Sequence, residues 1–496
     1  MTIIKCIYII LSVMEKTEKN TKFTALLALI KRALASKYLP FVTTAVVLLS
    51  HLLGLDIVLI YFYAIVGIAM ILLLDDLTPL ITHLLYLHVL VSYQNSPSPL
   101  VHNGNPEYYT NPVMIGFIAA IVAVLCGAAV WRIIKSRAKL RFNAMTLGFA
   151  VFSVTLLLNG IGSPNGYNPM TFFYGFALSL LFTLPYVLLS ANITPSKENF
   201  IKVAWGFVAL SVLLVIELAT KYVTQWEHVV SDGSLEKGAF VFGWGMWNTM
   251  GMLLVLCIPS MFLLASTHKY GYLFILYATL LAGCAFFTTS RQSMLGAVII
   301  YPLSAIVTIV CGKNRRFNIA TLIAVAAVIG IIAIASWDDI LHIFSSVFDN
   351  LFNDQGYDGS GRSYLLQLAW GYFKEAPVFG QGFYLSFPND PGFAGMNGFI
   401  PLMAHNTYAE LLATCGILGL LGYLAHRIIT IICFLRNPTP ERTFIALAVL
   451  SMLILCMFDN HIFYLLPTVA YSALSSLSTN SEVVIKLPLF KRKTSN

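Results

Sequence analysis

Fourteen apolar runs, each long enough or nearly long enough to cross a bilayer, set the terms for anything this 496-residue chain can fold into. They lie at about 39–55, 57–74, 77–93, 112–131, 144–160, 171–190, 201–221, 246–266, 271–289, 293–311, 318–336, 407–432, 443–458 and 461–477. A helix needs roughly 20 mostly apolar residues to cross the hydrocarbon core. Composition agrees with that reading: 58% of the residues are hydrophobic and 10% charged, against about 25% charged in ordinary soluble domains. A water-soluble globular fold is excluded. The expected fold is an all-α polytopic membrane protein with about 12–14 transmembrane helices, the first three runs being the weakest.

Lys and Arg total 30 against 22 acids. In a membrane protein this surplus reports orientation before it reports partners, because short basic loops stay in the cytoplasm. The basic clusters are Lys31/Arg32/Lys37, Arg132 to Arg141, Lys197/Lys202, Lys269, Lys313/Arg315/Arg316, Arg427/Arg436/Arg442 and Lys486 to Lys493. With fourteen spans all of them fall on one side. The expected organisation is a cytoplasmic N-terminal segment (1–38), a membrane domain (39–477) and a cytoplasmic basic tail (478–496). Five basic residues remain outside, Lys221, Lys237, Lys374, Arg291 and Arg362, and only two of these are arginines. No nucleic-acid partner is expected. The eight cysteines are scattered, mostly within apolar runs and without a C-x-x-C pair, so they read as small buried hydrophobes. The leader MTIIKCIYIILSVM is too short to span and lacks the order of a signal peptide, and Met14 is an alternative start.

The outer side carries one long segment, 337–406, rich in aromatics, glycine and proline. Within it, Leu365, Leu368, Ala369, Tyr372 and Phe373 recur at helical spacing and Pro377 follows. That pattern predicts an amphipathic helix over 363–375 in an ordered outer cap. Three features on this side carry candidate chemistry. Arg291, with Ser290 before it, stands between two apolar runs in TTSRQSML; taken alone it reads equally as an arginine snorkelling from a helix end. Arg362, with Ser360 nearby in GYDGSGRSY, falls at the start of the amphipathic helix. A cation there opposes the helix dipole unless both face one anion, the alternative being a glycine loop that meets lipid headgroups. His405 and Asn406 precede the run from 407. Imidazole titrates near neutral pH and can take a proton from a hydroxyl, while Asn406 or Thr407 can cap the helix. Glu410, inside the apolar run, needs a partner, either His405 or a neighbouring helix.

Together these residues form an ordered pattern: Arg291 with Leu295, then G-S-G-R ending at Arg362, then Trp370, Pro377, Gly380 and Gly382 spaced as W-x6-P-x2-G-x-G, then His405-Asn406, then C-G-I-L-G beginning at Cys415. The pattern resembles the O-antigen ligase and O-antigen polymerase membrane family, most sharply over about 240–425, with FGWGMWNTMG (242–251) as a weaker element.

The resemblance implies a GT-C-like membrane glycosyltransferase of cell-surface polysaccharide biosynthesis, such as lipopolysaccharide or capsule. It would transfer a glycan from undecaprenyl diphosphate to a saccharide or glycolipid hydroxyl on the outer face of the bacterial cytoplasmic membrane. Carried over residue by residue, Arg291 and Arg362 would hold the diphosphate and His405 would be the base, with Ser290, Ser360, Asn406 and Glu410 in support. The family chemistry is inverting, metal-independent and without a cofactor. Asp349, Asp354 and Asp358 are spaced irregularly and read as a solvated face, and no carboxylate pair suggests a retaining displacement. Trp370, Tyr372, Phe383, Tyr384 and Phe387 could stack sugars or anchor the cap in the interface. Two other functions share the architecture. A lipid-linked oligosaccharide flippase would show two similar halves, and none is seen; a peptidoglycan-type glycan polymerase would rely on an outer-loop acid.

Overall fold

The computed structural model describes residues 21–53, 56–91, 112–136, 142–164, 169–231, 245–337, 362–383, 404–436, 438–459 and 465–477, with short pieces at 167, 234–235, 241–242 and 463. Among the described residues, a helix lies in each of the fourteen apolar runs. The helices are α1 (Thr21–Leu34), α2 (Leu39–Leu53), α3 (Asp56–Leu73), α4 (Thr78–Val91), α5 (Pro112–Lys135), α6 (Ala144–Leu157), α7 (Pro169–Asn192), α8 (Lys197–Thr224), the one-turn α9 (Trp226–Val229), α10 (Trp247–Thr267), α11 (Gly271–Phe287), α12 (Arg291–Cys311), α13 (Arg315–Ala335), α14 (Arg362–Glu375), α15 (Thr407–Leu435), α16 (Pro440–Leu455) and α17 (Leu465–Ser476). Two minimal antiparallel hairpins, pairing Val230–Ser231 with Ser234–Leu235 and Val241–Phe242 with Gly245–Met246, lie between α9 and α10. Among the described residues, α7, α8, α10, α12, α13 and α15 are each long and apolar enough to cross a membrane, while α1 and α2 form a pair bent by 79°. The chain is a multi-pass, all-α membrane protein.

Burial follows from which faces are apolar. The helix α10 is apolar all round, and 94% of its spanning window is buried against α8, α11, α12 and α16; a helix without a polar face belongs at the centre of a bundle. At the other extreme α13 buries only 6% of its window and leans on α11 and α12. Interhelical hydroxyl pairs stitch the interior, among them Thr44–Tyr86 at 2.6 Å and Ser153–Thr183 at 2.6 Å. Each such contact within a membrane contributes about 0.6 kcal/mol, so they set register more than they set stability.

The basic residues are not all in loops. Arg132 is buried and donates to Asn192 Oδ1 and to the carbonyl of Leu74, both at 2.8 Å, tying α5 to α7 and to the end of α3. Arg442 is buried at the start of α16 and donates to the carbonyl of Cys433 at 2.7 Å. Lys221 is buried in the last turn of α8. The largest correction is Arg427, which the charge pattern placed in a cytoplasmic loop. It lies within α15, 6% exposed, with its guanidinium between the rings of Tyr423 and Tyr471. An arginine at the centre of a spanning helix costs about 2.5–3.5 kcal/mol even on lenient scales, and two aromatic faces are one way to offset that cost.

The helix α15 is itself two helices. At Gly416 the backbone takes φ 64° and ψ −163°, and the chain turns sharply. On an unbroken helix Tyr408 and Tyr423 would stand about 22 Å apart; their rings are 5.7 Å apart. The break releases the carbonyls of Ala413 and Thr414 and the amides of Ile417 and Leu418. The segment 377–382, which follows α14, takes up all four: Gln381 N donates to Ala413 O (2.8 Å), Gly382 N to Thr414 O (2.9 Å), Ile417 N to Pro377 O (2.9 Å) and Leu418 N to Val378 O (3.3 Å). Irregular backbone is tolerated at membrane depth only when protein satisfies it, and this strap does so.

The fit is tight. A methyl group at Gly380 would meet Thr414 C at 2.3 Å, and one at Gly416 would meet Val378 O at 2.4 Å. The strap's far end is fixed by Phe383 N donating to Asn159 Oδ1 (3.1 Å), and by the buried Gln381 amide, which bonds Ser163 (2.6 Å) and Glu375 (2.8 Å). Phe383 is 1% exposed and packs on Phe463, so it is core and not a surface for sugars. Trp370 remains exposed; Tyr384 and Phe387 lie outside the described residues, as do Asp349, Asp354 and Asp358.

Candidate functional site

Four helix ends converge at one end of the bundle: the starts of α10, α12 and α15 and the turn after α16. Each brings a polar residue that its own apolar run cannot satisfy. His405 precedes α15, whose first turn is capped by Asn406 Oδ1 accepting from Tyr408 N (2.9 Å) and Ala409 N (3.1 Å). Of the two candidate caps, Asn406 is the one used. Thr407 instead donates to the carbonyl of Asp459 (2.9 Å) and, through its amide, to Cys456 O (3.1 Å). Glu410 Oε2 accepts from Ala404 N at 3.0 Å and so holds the chain one residue ahead of His405.

The partner of His405 is Asp459. His405 Nδ1 and Asp459 Oδ1 are 3.3 Å apart, with the histidine side chain 30% exposed and the aspartate 4%. The other carboxylate oxygen, Oδ2, accepts from Asn248 Nδ2 (2.9 Å) and Gln292 Nε2 (3.5 Å). Asn248 Oδ1 in turn accepts from Ser290 Oγ (2.8 Å), to which Ser293 Oγ donates (2.9 Å). The buried acid is thus met by polar groups at both oxygens, His405 at Oδ1 and two amide donors at Oδ2. In the tautomer that carries its proton on Nδ1, His405 donates to Asp459 and keeps the Nε2 lone pair to accept a proton, the arrangement by which a buried acid orients a base.

Strain marks the same place. Among the described residues, the non-glycine residues with positive φ are Thr289 (57°) and His405 (49°). For a β-branched residue this is a genuine outlier, and such residues cost about 1–3 kcal/mol each and cluster where the surroundings over-determine them. Thr289 turns the chain from α11 into α12; His405 turns it into α15. Arg291 is the exposed first residue of α12, with Ser290 and Gln292 on either side both tied into the Asp459 network. Arg362 is the first residue of α14. Both arginines therefore stand at the positive end of a helix dipole, which favours neither unless an anion is shared. The helix α14 packs through Ala369 against Ala404 and Ala413 beside the first half of α15. Ser360 lies outside the described residues. No three His, Cys, Asp or Glu side chains form a metal-ligand group among the described residues.

Asp459, Asn248, Gln292 and Ser293 were not singled out by sequence reasoning. Asp459 had a usable signal, an acid closing an apolar run where an uncompensated charge is costly. Asn248 lies in the aromatic–glycine segment 242–251, whose part in the pattern was the weakest. The neutral amides carry no distinguishing signal.

No curated protein matches the chain. Residues 276–424 match the family model described as O-Antigen ligase. That stretch contains Arg291, Arg362, His405 and the Gly416 break, whereas Asn248 and Asp459 lie to either side of it. Most of the residues that carried the resemblance thus fall within the matched region, and the aromatic–glycine segment 242–251 lies outside it.

Proposed function

We propose that the protein is an O-antigen ligase/polymerase-type membrane glycosyltransferase that moves a glycan from undecaprenyl diphosphate to a saccharide hydroxyl. The single observation that supports this most is the partly exposed His405 beside the buried Asp459, close to the start of α12. In the reaction, the acceptor oxygen attacks the anomeric carbon while its proton passes to His405 Nε2. The bond from that carbon to the diphosphate oxygen breaks, and the configuration inverts. Arg291 and Arg362 hold the departing diphosphate; a permanent planar cation suits that task because it offers charge and paired donors together. Asp459 stabilises the imidazolium that forms. The reaction needs no metal, and it takes place on the extracytoplasmic face of the cytoplasmic membrane, since the loops richest in Lys and Arg lie at the other ends of these helices. The carrier enters sideways between helices, which keeps its polyprenyl chain in lipid.

The test is a transfer assay with purified protein, carrier-linked glycan and a panel of saccharide acceptors. Arg291→Ala and Arg362→Ala are expected to lose most activity, with KM for the carrier raised and membrane insertion unchanged. Wild-type activity is expected to survive a chelator. Activity that vanished with chelator and returned with a divalent cation would contradict the metal-free step, and full activity in both arginine variants would remove the diphosphate assignment.

A further inference from the structure

Eleven residues beyond the Gly416 break, the Arg427 guanidinium carbon stands 4.5 Å over the ring of Tyr423 on its own helix and 3.9 Å over that of Tyr471 on α17. The side chain is 6% exposed, its Nε and Nη1 have no hydrogen-bond partner, and no carboxylate pairs with it among the described residues. Ring faces are therefore its main contact. Both rings are fixed in turn. The Tyr471 hydroxyl meets His426 Nε2 (2.8 Å) and Thr430 Oγ1 (2.7 Å), and the Tyr423 ring meets the edge of Tyr408 at 5.7 Å and 76°. Tyr408 is the second residue of α15, three positions after His405, and belongs to the half-helix on the other side of the break.

We infer that Arg427 is a positioning residue for His405: the ring contacts Tyr471–Arg427–Tyr423–Tyr408 fix the angle between the two halves of α15, and with it the place of His405 against Asp459. This rests on the reading of His405 as the base. A planar guanidinium can lie between two rings at once, whereas an ammonium is a compact, strongly hydrated point charge. The strap satisfies the backbone at the break but leaves the tilt of the short half-helix to side-chain packing, and Tyr408 reaches across the break to meet the second half.

The experiment compares full-length wild type with Arg427→Met, Arg427→Lys and Tyr423→Phe. Transfer kinetics are measured alongside hydrogen–deuterium exchange over residues 404–415. Arg427→Met, which keeps length and loses the cation, is expected to lower kcat at least tenfold with KM for the carrier within twofold, and to speed exchange over 404–415. Arg427→Lys should move the same way. Tyr423→Phe keeps both ring faces and removes a hydroxyl that has no hydrogen-bond partner, so it should stay within twofold of wild type on all three measures. Wild-type kcat and exchange in Arg427→Met would overturn the inference. So would faster exchange spread evenly over α6, α15 and α17, with activity falling only as folded protein is lost. If His405→Ala retained transfer, the base assignment would fall, while exchange over 404–415 would still decide whether Arg427 holds that segment.

Discussion

His405→Ala is expected to lower kcat by about 10²–10⁴-fold, the usual contribution of a positioned general base, with KM for the carrier-linked glycan little changed. The arginines, not the histidine, meet the carrier's diphosphate in the proposed reaction, so ground-state binding should survive. Asp459→Asn should cost less than His405→Ala. The amide oxygen can still accept Nδ1–H and keep the ring oriented, but the negative charge that stabilises the imidazolium is gone. Asp459→Ala should be the worst for folding, because Asn248 and Gln292 would lose the acceptor they share, and an unsatisfied buried donor costs about 1–3 kcal/mol. Measured by initial rates on protein of equal monodispersity, the order of activity should be wild type, Asp459→Asn, His405→Ala. Equal activity in wild type and His405→Ala would dismiss the base assignment whatever the other variants did.

The second large effect concerns the strap. Gly380→Ala places a methyl group 2.3 Å from Thr414 C at a residue whose φ is +70°. The left-handed backbone costs about 1–2 kcal/mol for a residue with a side chain, and forcing a methyl into packed backbone adds about 1–3 kcal/mol. Together these cost about 2–5 kcal/mol, a large share of the roughly 5–15 kcal/mol by which an ordinary domain is stable. The variant is expected to insert but to elute from size exclusion as aggregate, or to unfold well below the wild-type temperature. Gly162 is the control that separates the two costs: its φ is +75° and nothing stands within 4 Å of the added methyl. Gly162→Ala should show the backbone penalty alone. If the two variants were equally stable, the close contact between strap and broken helix would have no energetic weight.

The helices were legible because hydropathy is local. Each apolar run could be read without knowing its neighbours, and the amphipathic spacing of Leu365, Leu368, Ala369, Tyr372 and Phe373 likewise marked the helix over 362–375. His405 and Arg291 were legible because polar residues at the edges of such runs stand out. Asp459 belongs to the same class, but its role depends on meeting a histidine 54 residues earlier, and no periodicity encodes that encounter. Arg427 was misread for a related reason: it falls near the end of its apolar run, where a basic residue usually marks the cytoplasmic boundary, and only the rings of Tyr423 and Tyr471 show that it stays inside. The break was hidden altogether. Glycine is common in membrane helices, so Gly416 carried no sign of a turn, and the glycines of the W-x6-P-x2-G-x-G pattern gave no hint that Gly380 packs directly against the broken helix.

The division of α15 also settles a question of length. Its 29 residues, if straight, would measure about 43 Å, well beyond the roughly 30 Å of a bilayer's hydrocarbon core. A rod of that size would have to tilt steeply or thicken the membrane around it. Divided at Gly416, the second half runs from 417 to 435 and measures about 28 Å, a match to the hydrophobic thickness with little tilt. The surplus is folded aside as the short half-helix that carries Thr407, Tyr408 and Glu410, so the bilayer need not deform to accommodate the segment next to His405.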